Sequence, residues 1–317
     1  MTVLSADRPA TRGKRAPSGD TFFRFGAACC ASIVLILLAG MLVRTTWAAM
    51  PAFRHSGIGF VTGNDWNPNV GHFGGLSFIY GTLLSSIIAL VLAVPVSVLI
   101  AVFLSEVAPP RIATPLGYVV DLLAAVPSVV YGLWGVFVLV PFLAQYVWQP
   151  LSNNLGFIPL FSQFASGRDF ATAGLILALM ITPIISAVCR EVFRTVPADE
   201  REAALALGAT RWEMIRMAVL PRSRSGLVAA VMLGFGRAVG ETIAVAYLIG
   251  GVPNQITGHL FHQGSTVAAN IALQFNEAAS VPLFKAALIG LGVVLFVITL
   301  IINVAARLII RRGEATA

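Results

Sequence analysis

Long apolar runs separated by short polar segments dominate the pattern of this chain. A membrane-spanning helix needs about 20 mainly apolar residues. Six segments meet this length, so we predict an all-α, polytopic membrane protein with six transmembrane helices. The predicted spans cover residues 25–47, 76–105, 114–145, 170–189, 225–250 and 282–306. They form a membrane domain at residues 25–310 between terminal tails at 1–24 and 311–317.

Three polar or helix-breaking residues interrupt the second and third predicted spans. Pro95 and Pro127 lie inside them, where a proline removes a backbone hydrogen bond, so we predict a kink at each. Asp121 lies about seven residues into the third span. It is either an intramembrane acid or a residue of the membrane interface.

The distribution of charge predicts the orientation. The chain is 57% hydrophobic and 11% charged, whereas soluble domains carry about 25% charged residues. If the N-terminus is inside, sixteen of the 21 Lys and Arg residues fall on the inner side and four on the outer side. Basic loops stay in the cytoplasm. We therefore predict that both termini are cytoplasmic, and we interpret the net charge of +7 as topology rather than nucleic-acid binding.

Cysteines and histidines show no pattern typical of a cofactor site. Cys29, Cys30 and Cys189 lie in apolar runs, at spacings that suit neither disulfides nor zinc. The four histidines fall in the predicted outer loops at about 48–75 and 251–281, which together with 146–169 are either spacers or docking surfaces. We expect no metal, no cofactor and no catalytic residues in this chain.

The predicted inner loop, residues 190–224, contains signals for a helical hairpin. Pro197 suits a first helical position, and Gly208 suits a left-handed C-cap. Thr210 and Glu213 have the spacing of a capping box for a second helix. Pro221 is expected to end that helix.

This loop resembles the EAA loop of ABC importer permeases. The matching residues are Glu202, Ala203, Ala204, Gly208, Leu220 and Pro221, whereas Ala218 stands where that family usually has Ile. The resemblance implies that these six residues couple the chain to a separate ATPase. Neither lysine lies in a Gly-x-x-x-x-Gly-Lys-Ser/Thr loop, so ATP and Mg²⁺ are expected on that partner.

Arg237 and Glu241 are charged residues within the fifth predicted span. Four residues apart, they would share one face of a helix. A charge at mid-bilayer costs about 2.5–3.5 kcal/mol on insertion scales and commonly marks a pathway. The pair is either a purely structural ion pair or a site where Arg237 meets an anion in transit while Glu241 moderates its charge.

Several segments resemble the permeases of the Pst-type phosphate importer, and PstC more than PstA. The resemblance covers residues 20–310, and the segments that carry it are 81–82, 104–106, 125–135, 234–242 and 295–299. It implies a type I ABC importer (MetI-like) fold in the bacterial inner membrane, and a substrate pathway that includes Arg237, Glu241 and Thr242. It also implies a PstA-like permease, two copies of a PstB-like ATPase and a PstS-like phosphate-binding protein as partners.

Other functions remain open at this point. The same machinery could carry sulfate or molybdate, and a six-span chain could be a secondary transporter driven by an ion gradient. A membrane enzyme or receptor is disfavoured, because the sequence has no nucleophile–base pattern and no soluble domain.

Overall fold

The computed structural model describes residues 18–162, 164 and 166–314, with side chains between residues 22 and 308 of those ranges. It divides the chain into two units, Met1–Trp47 and Ala48–Ala317. The helices are α1 (Ser18–Ser56), α2 (Gly59–Thr62), α3 (Leu76–Val107), α4 (Pro110–Ala125), α5 (Ser128–Leu155), α6 (Phe170–Arg194), α7 (Ala198–Ala206), α8 (residues 211–222), α9 (Arg224–Gly240), α10 (Ile243–Leu248), α11 (Val267–Ala278) and α12 (Pro282–Glu314). A small hairpin pairs β1 (Trp66–Asn67) with β2 (His72–Phe73).

Five of the described helices are long and apolar enough to cross a membrane: α1, α3, α5, α6 and α12. They cover the predicted first, second, fourth and sixth spans and much of the third. Both terminal helices extend beyond the predicted spans, since α1 begins at Ser18 and α12 continues to Glu314. The remaining tail residues, 1–17 and 315–317, lie outside the described ranges.

The predicted third span is not one helix. α4 ends at Ala125, and α5 begins at Ser128 after two residues with extended backbone, Val126 (ψ 127°) and Pro127 (ψ 140°). Because a residue that precedes proline avoids the helical region, Val126 ends α4. Pro127 therefore separates two helices instead of kinking one. Pro95, in contrast, lies inside the continuous helix α3.

Asp121 lies in α4, outside the candidate spans, and forms an ion pair with α6. Its Oδ1 accepts a hydrogen bond from Arg190 Nη2 at 2.5 Å. Arg190 is largely buried, with 11% of its side chain exposed. Gly117, one turn earlier on α4, provides the space, since a Cβ there would lie 2.7 Å from Arg190 Nη1. Asp121 is thus a partner of Arg190 at the end of α6, and not an isolated acid inside the membrane.

The core is built around α6, which packs along α3. Fully buried side chains run the length of α6, among them Phe170, Ile181 and Phe193. A second apolar cluster joins the 48–75 segment to α12, with Phe60, Trp66 and Leu291 buried in it.

The segment before α11 is held against the start of α3. A Cβ at Gly81 would collide with the backbone carbonyl of Ser265, so only glycine permits this approach. Beside it, Thr82 Oγ1 accepts a hydrogen bond from the Val267 backbone N–H at 3.0 Å. This contact lies at the opposite end of α3 from Val107 and fixes α11 to that end of the bundle.

Candidate functional site

The predicted fifth span is interrupted where its charged residues lie. α9 ends at Gly240, Glu241 has an extended backbone (φ −69°, ψ 128°), and α10 starts at Ile243. The expectation of one continuous helix is therefore wrong. Irregular backbone at membrane depth is tolerated only where protein buries it or where it lines an aqueous cavity. Interrupted helices of this kind form ion and substrate sites in transporters.

Arg237 and Glu241 remain paired across this break. Arg237 Nη2 lies 3.8 Å from Glu241 Oε2, and the side chains are 47% and 6% exposed respectively. Arg237 occupies the last turn of α9, where the helix C-terminus favours a cation. The other carboxylate oxygen of Glu241 accepts a hydrogen bond from the Ala244 N–H of α10 at 3.5 Å. Glu241 therefore ties α9 to α10 and forms an ion pair with Arg237.

Thr242, the third predicted pathway residue, lies at the break itself. It is partly buried, and its hydroxyl donates a hydrogen bond to the Gly240 carbonyl at 3.2 Å. This bond occupies the Thr242 proton, so the hydroxyl presents an acceptor rather than a donor to its surroundings.

A cavity of about 590 Å³ opens beside Arg237. Its walls come from α6, α9 and α12, and its lining residues are Ile184, Ala229, Met232, Leu233, Gly236, Arg237, Asn303, Ala306 and Arg307. The lining is mainly apolar with a few polar groups, which is typical of ligand sites. Asn303 and Arg307 were not predicted as site residues.

The glycines around Arg237 serve two purposes. A Cβ at Gly234 would lie 2.5 Å from the Ile185 side chain, so this glycine permits α9 to pack against α6. Gly236 and Gly240 have no described atom within 4 Å of their Cβ positions, and Gly236 lines the cavity. Gly234 therefore permits helix packing, whereas Gly236 leaves the cavity open.

The 125–135 segment, one of those that carry the family resemblance, contacts α10, the helix after the break. Gly132 and Gly135 of α5 allow close approach to α10, because their Cβ positions would lie 3.0 Å from Ala244 and Leu248. α10 follows directly on Glu241 and Thr242. The 125–135 segment therefore buttresses the helix break.

The hairpin of residues 197–222, here called the coupling hairpin, has the predicted turn. α7 ends at Ala206, and Gly208, two residues later, has a φ of +86° in the left-handed region. Thr210 and Glu213 form the predicted capping box, with Thr210 N 2.7 Å from Glu213 Oε2. These hydrogen bonds from Thr210 lower the pKa of Glu213 below its ordinary value.

Pro221 does not end the second helix, contrary to prediction. A π-helical turn at Ile215–Val219 is followed by one helical turn, Leu220–Arg222, in which Pro221 lies. A π turn shifts the hydrogen-bond register, and proline is accepted in a first turn because that N–H has no intrahelical partner. α9 then begins at Arg224, so the coupling hairpin leads almost directly into the helix that carries Arg237.

Arg201 anchors the coupling hairpin to the membrane helices. Its Nη2 donates to Glu106 Oε1 at 2.9 Å, at the end of α3, and to the Phe193 carbonyl of α6 at 2.7 Å. Its Nη1 donates to the Val196 carbonyl at 3.2 Å. The sequence prediction missed this residue, although Glu106, an acid closing the apolar run of α3, was a usable signal.

The coupling hairpin exposes several large apolar side chains. Leu207 is 90% exposed, and Trp212 and Met217 are 58% and 60% exposed. Of the predicted coupling residues, Glu202, Ala203, Gly208 and Pro221 are exposed and Ala204 and Leu220 are partly buried. Glu202 has no ion-pair partner in the described part of the chain. Leu207 and Met217 line one groove of this surface, and exposed apolar side chains that lie together are typical of an interaction surface.

Comparisons with known proteins agree with this architecture. Residues 70–314 match the family described as binding-protein-dependent transport system inner membrane component. The chain belongs to this family. A relative named phosphate transport system permease protein PstC 2, from Mycobacterium tuberculosis, is 45% identical over 95% of this chain and 93% of its own length. The corresponding PstC protein of Xylella fastidiosa is 41% identical over 96% of this chain and 94% of its own length.

A solved structure shares the fold of these inner membrane components. A bacterial ABC transporter involved in the import of the acidic polysaccharide alginate matches 91% of this chain and 96% of its own chain, with a TM-score of 0.59 and 20% identity. At this identity the likeness concerns the fold alone. The chain is therefore a multi-pass permease of the binding-protein-dependent type, of the PstC group.

Proposed function

We propose that this chain is the permease subunit of an ATP-driven ABC importer for inorganic phosphate. The observation that carries the proposal is Arg237, held beside Glu241 at a helix break and open to a cavity. An arginine without a counter-charge would hold an anion tightly, whereas Glu241 at 3.8 Å reduces the affinity of Arg237 enough for release. The PstC relatives, which are named as phosphate transport permeases, support the choice of anion.

The partners follow from the same proposal. A PstA-like permease supplies the other half of the pathway, two PstB-like ATPases dock on the coupling hairpins, and a PstS-like protein delivers phosphate from outside. The exposed Leu207 and Trp212 supply the apolar contact for an ATPase. Both termini and the coupling hairpin then lie in the cytoplasm, which the bias of basic residues supports.

Transport by this complex needs no chemistry on the substrate. ATP binding closes the ATPase pair, the coupling hairpins move with it, and α9 changes position because it follows the hairpin directly. Arg237 provides electrostatic attraction for the anion at the break. Glu202, Ala203, Ala204, Gly208, Leu220 and Pro221 belong to the coupling surface, and ATP with Mg²⁺ stays on the ATPase.

The test uses the complete complex in proteoliposomes. Arg237→Ala should assemble normally and lose phosphate uptake. Arg111→Ala is the control and should transport normally, because Arg111 is an exposed arginine of α4 that does not line the cavity. Normal uptake by the Arg237 variant would refute the pathway role. Uptake that follows sulfate or molybdate and ignores phosphate would refute the substrate. Uptake that persists without ATP would identify a secondary transporter.

A further inference from the structure

A second arginine faces the cavity beside Arg237. Arg307 lies on α12, one turn after Asn303, so that the two residues share one face of that helix. Both line the same cavity as Arg237, which comes from α9. Two separate helices therefore direct cationic side chains at one space of about 590 Å³.

These two α12 residues have free hydrogen-bonding capacity. Among residues 22–308, as far as they are described, Arg307 has no ion-pair or hydrogen-bond partner, and the Asn303 side chain has none either. Arg190 of α6 and Arg201 of α7, in contrast, each form an ion pair with a carboxylate. Arg307 differs from other arginines without a carboxylate partner in the described ranges, such as Arg111, because it lines the cavity beside Arg237.

The charge in the cavity is unbalanced. No carboxylate is among the residues that line it, and Glu241, the nearest described acid to Arg237, offsets one guanidinium at most. The remaining lining is apolar or small, for example Ile184, Met232 and Leu233. A guanidinium in such surroundings binds a phosphate-type oxyanion through paired N–H donors, and a carboxamide can add one more donor.

The position of Arg307 gives the site a direction. α12 starts beside the 48–75 segment, where Leu291 packs near Gly75, and Arg307 lies sixteen residues further along the helix, away from that end. Sixteen residues of α-helix measure about 24 Å. Arg307 therefore lies towards the end of the bundle that carries the coupling hairpin.

We propose that Arg307 and Asn303 form a second oxyanion site, which receives phosphate after Arg237 and passes it to the coupling-hairpin side. This inference rests on the proposed function. The same chemistry, a phosphate group bound by a guanidinium, could also come from an anionic lipid headgroup. The following experiment separates the two sources.

The test compares variants of the full complex in proteoliposomes made with and without anionic lipid. Arg307→Gln should assemble with its partner subunits and lose phosphate uptake by about tenfold or more, the factor expected for a lost charge-assisted hydrogen bond. The loss should be the same in both lipid mixtures. Arg307→Lys should retain part of the uptake, because it keeps the charge without the paired donors. Arg111→Gln is the matched control and should behave as wild type.

A second variant covers the case in which Arg307→Gln does not assemble. Asn303→Asp keeps Arg307 but places a carboxylate one turn away, so it should neutralise the site and also lower phosphate uptake about tenfold. Wild-type uptake by both Asn303→Asp and Arg307→Gln would overturn the inference. If Arg307→Gln cannot be assembled, wild-type uptake by Asn303→Asp alone would overturn it.

Two further outcomes have distinct meanings. If wild-type uptake falls without anionic lipid and Arg307→Gln has no effect there, Arg307 binds a lipid headgroup and the inference is overturned. If Arg237→Ala abolishes phosphate uptake while Arg307→Gln and Asn303→Asp match Arg111→Gln, only the second site is refuted. Normal uptake by Arg237→Ala would instead refute the proposed function on which the inference rests.

Discussion

Breaking the ion pair between Arg201 and Glu106 should detach the coupling hairpin from the membrane helices. The Glu106 side chain is 6% exposed and the Arg201 side chain 23% exposed, so the pair is mostly removed from water. Loss of one partner of a buried pair costs about 3–5 kcal/mol, because the other charge stays buried and unpaired. We expect Arg201→Ala to fall in this range, since it also removes donors from the Phe193 and Val196 carbonyls.

The two ends of this pair should not be equivalent. Glu106→Gln keeps an oxygen acceptor and leaves the charge on Arg201, which still reaches solvent. We expect a cost of about 1–2 kcal/mol, near that of a weakened charged hydrogen bond. The two costs differ because the Arg201 side chain is more exposed than that of Glu106. General damage to the coupling hairpin would not produce this difference between the two variants.

A double-mutant cycle measures the interaction. The free energy of unfolding of the chain in mixed micelles would be compared for Arg201→Ala, Glu106→Ala and the double variant, with an expected interaction energy of about 0.5–3 kcal/mol. Arg194 and Glu191 provide the matched control, because they form an ion pair at 2.9 Å with side chains 64% and 71% exposed. Their interaction energy should stay below about 1 kcal/mol. An Arg201–Glu106 value no larger than this control would refute the anchoring role.

Two further predictions concern the ends of helices. Gly208→Val should lower substrate-stimulated ATP turnover and destabilise the chain by about 1–2 kcal/mol or more. The φ of +86° is strained for a β-branched residue, although open space surrounds the Cβ position. Gly208→Asn should destabilise the chain less, and wild-type ATP turnover by the Val variant would contradict the role of the turn. Burial raises the pKa of Asp169, the N-cap of α6, from 3.8 to about 6. The folded chain therefore holds the Asp169 proton more tightly than the unfolded chain. The contribution of Asp169 to the free energy of unfolding should fall as the pH rises from about 4 to about 6. Asp169→Asn keeps a capping oxygen, so its free energy of unfolding should not fall in this way over the same pH range. Equal pH slopes for the wild type and the variant would contradict the assignment to Asp169.

Local signals made the coupling hairpin predictable. Gly208 and the Thr210–Glu213 capping box act within a few residues, so their geometry follows from the sequence. Pro221 was misjudged, because a π turn before it removes the hydrogen bond that proline would break. A π turn has no clear sequence signal, and its stability here depends on packing of Ile215 and Val219 in the core.

Tertiary contacts explain what the sequence pattern missed. The segment around Glu241 is mainly apolar apart from Arg237 and Glu241, so its pattern predicts one helix. α9 stops there because the Glu241 carboxylate accepts a hydrogen bond from the Ala244 N–H, and Gly132 packs against Ala244. Arg307, at the end of an apolar run, has the pattern of an ordinary inside-positive charge. Only the packing of α9 beside α12 places it and Asn303 in the cavity with Arg237.

The contact at Gly81 restricts how this chain can vary during evolution. Even an alanine there would meet the Ser265 carbonyl, which belongs to the backbone and cannot rotate away as a side chain could. Position 81 can therefore change only after the segment before α11 has shifted or changed length. Among homologues that keep this segment, glycine at 81 should persist, and insertions near residue 265 should accompany its loss.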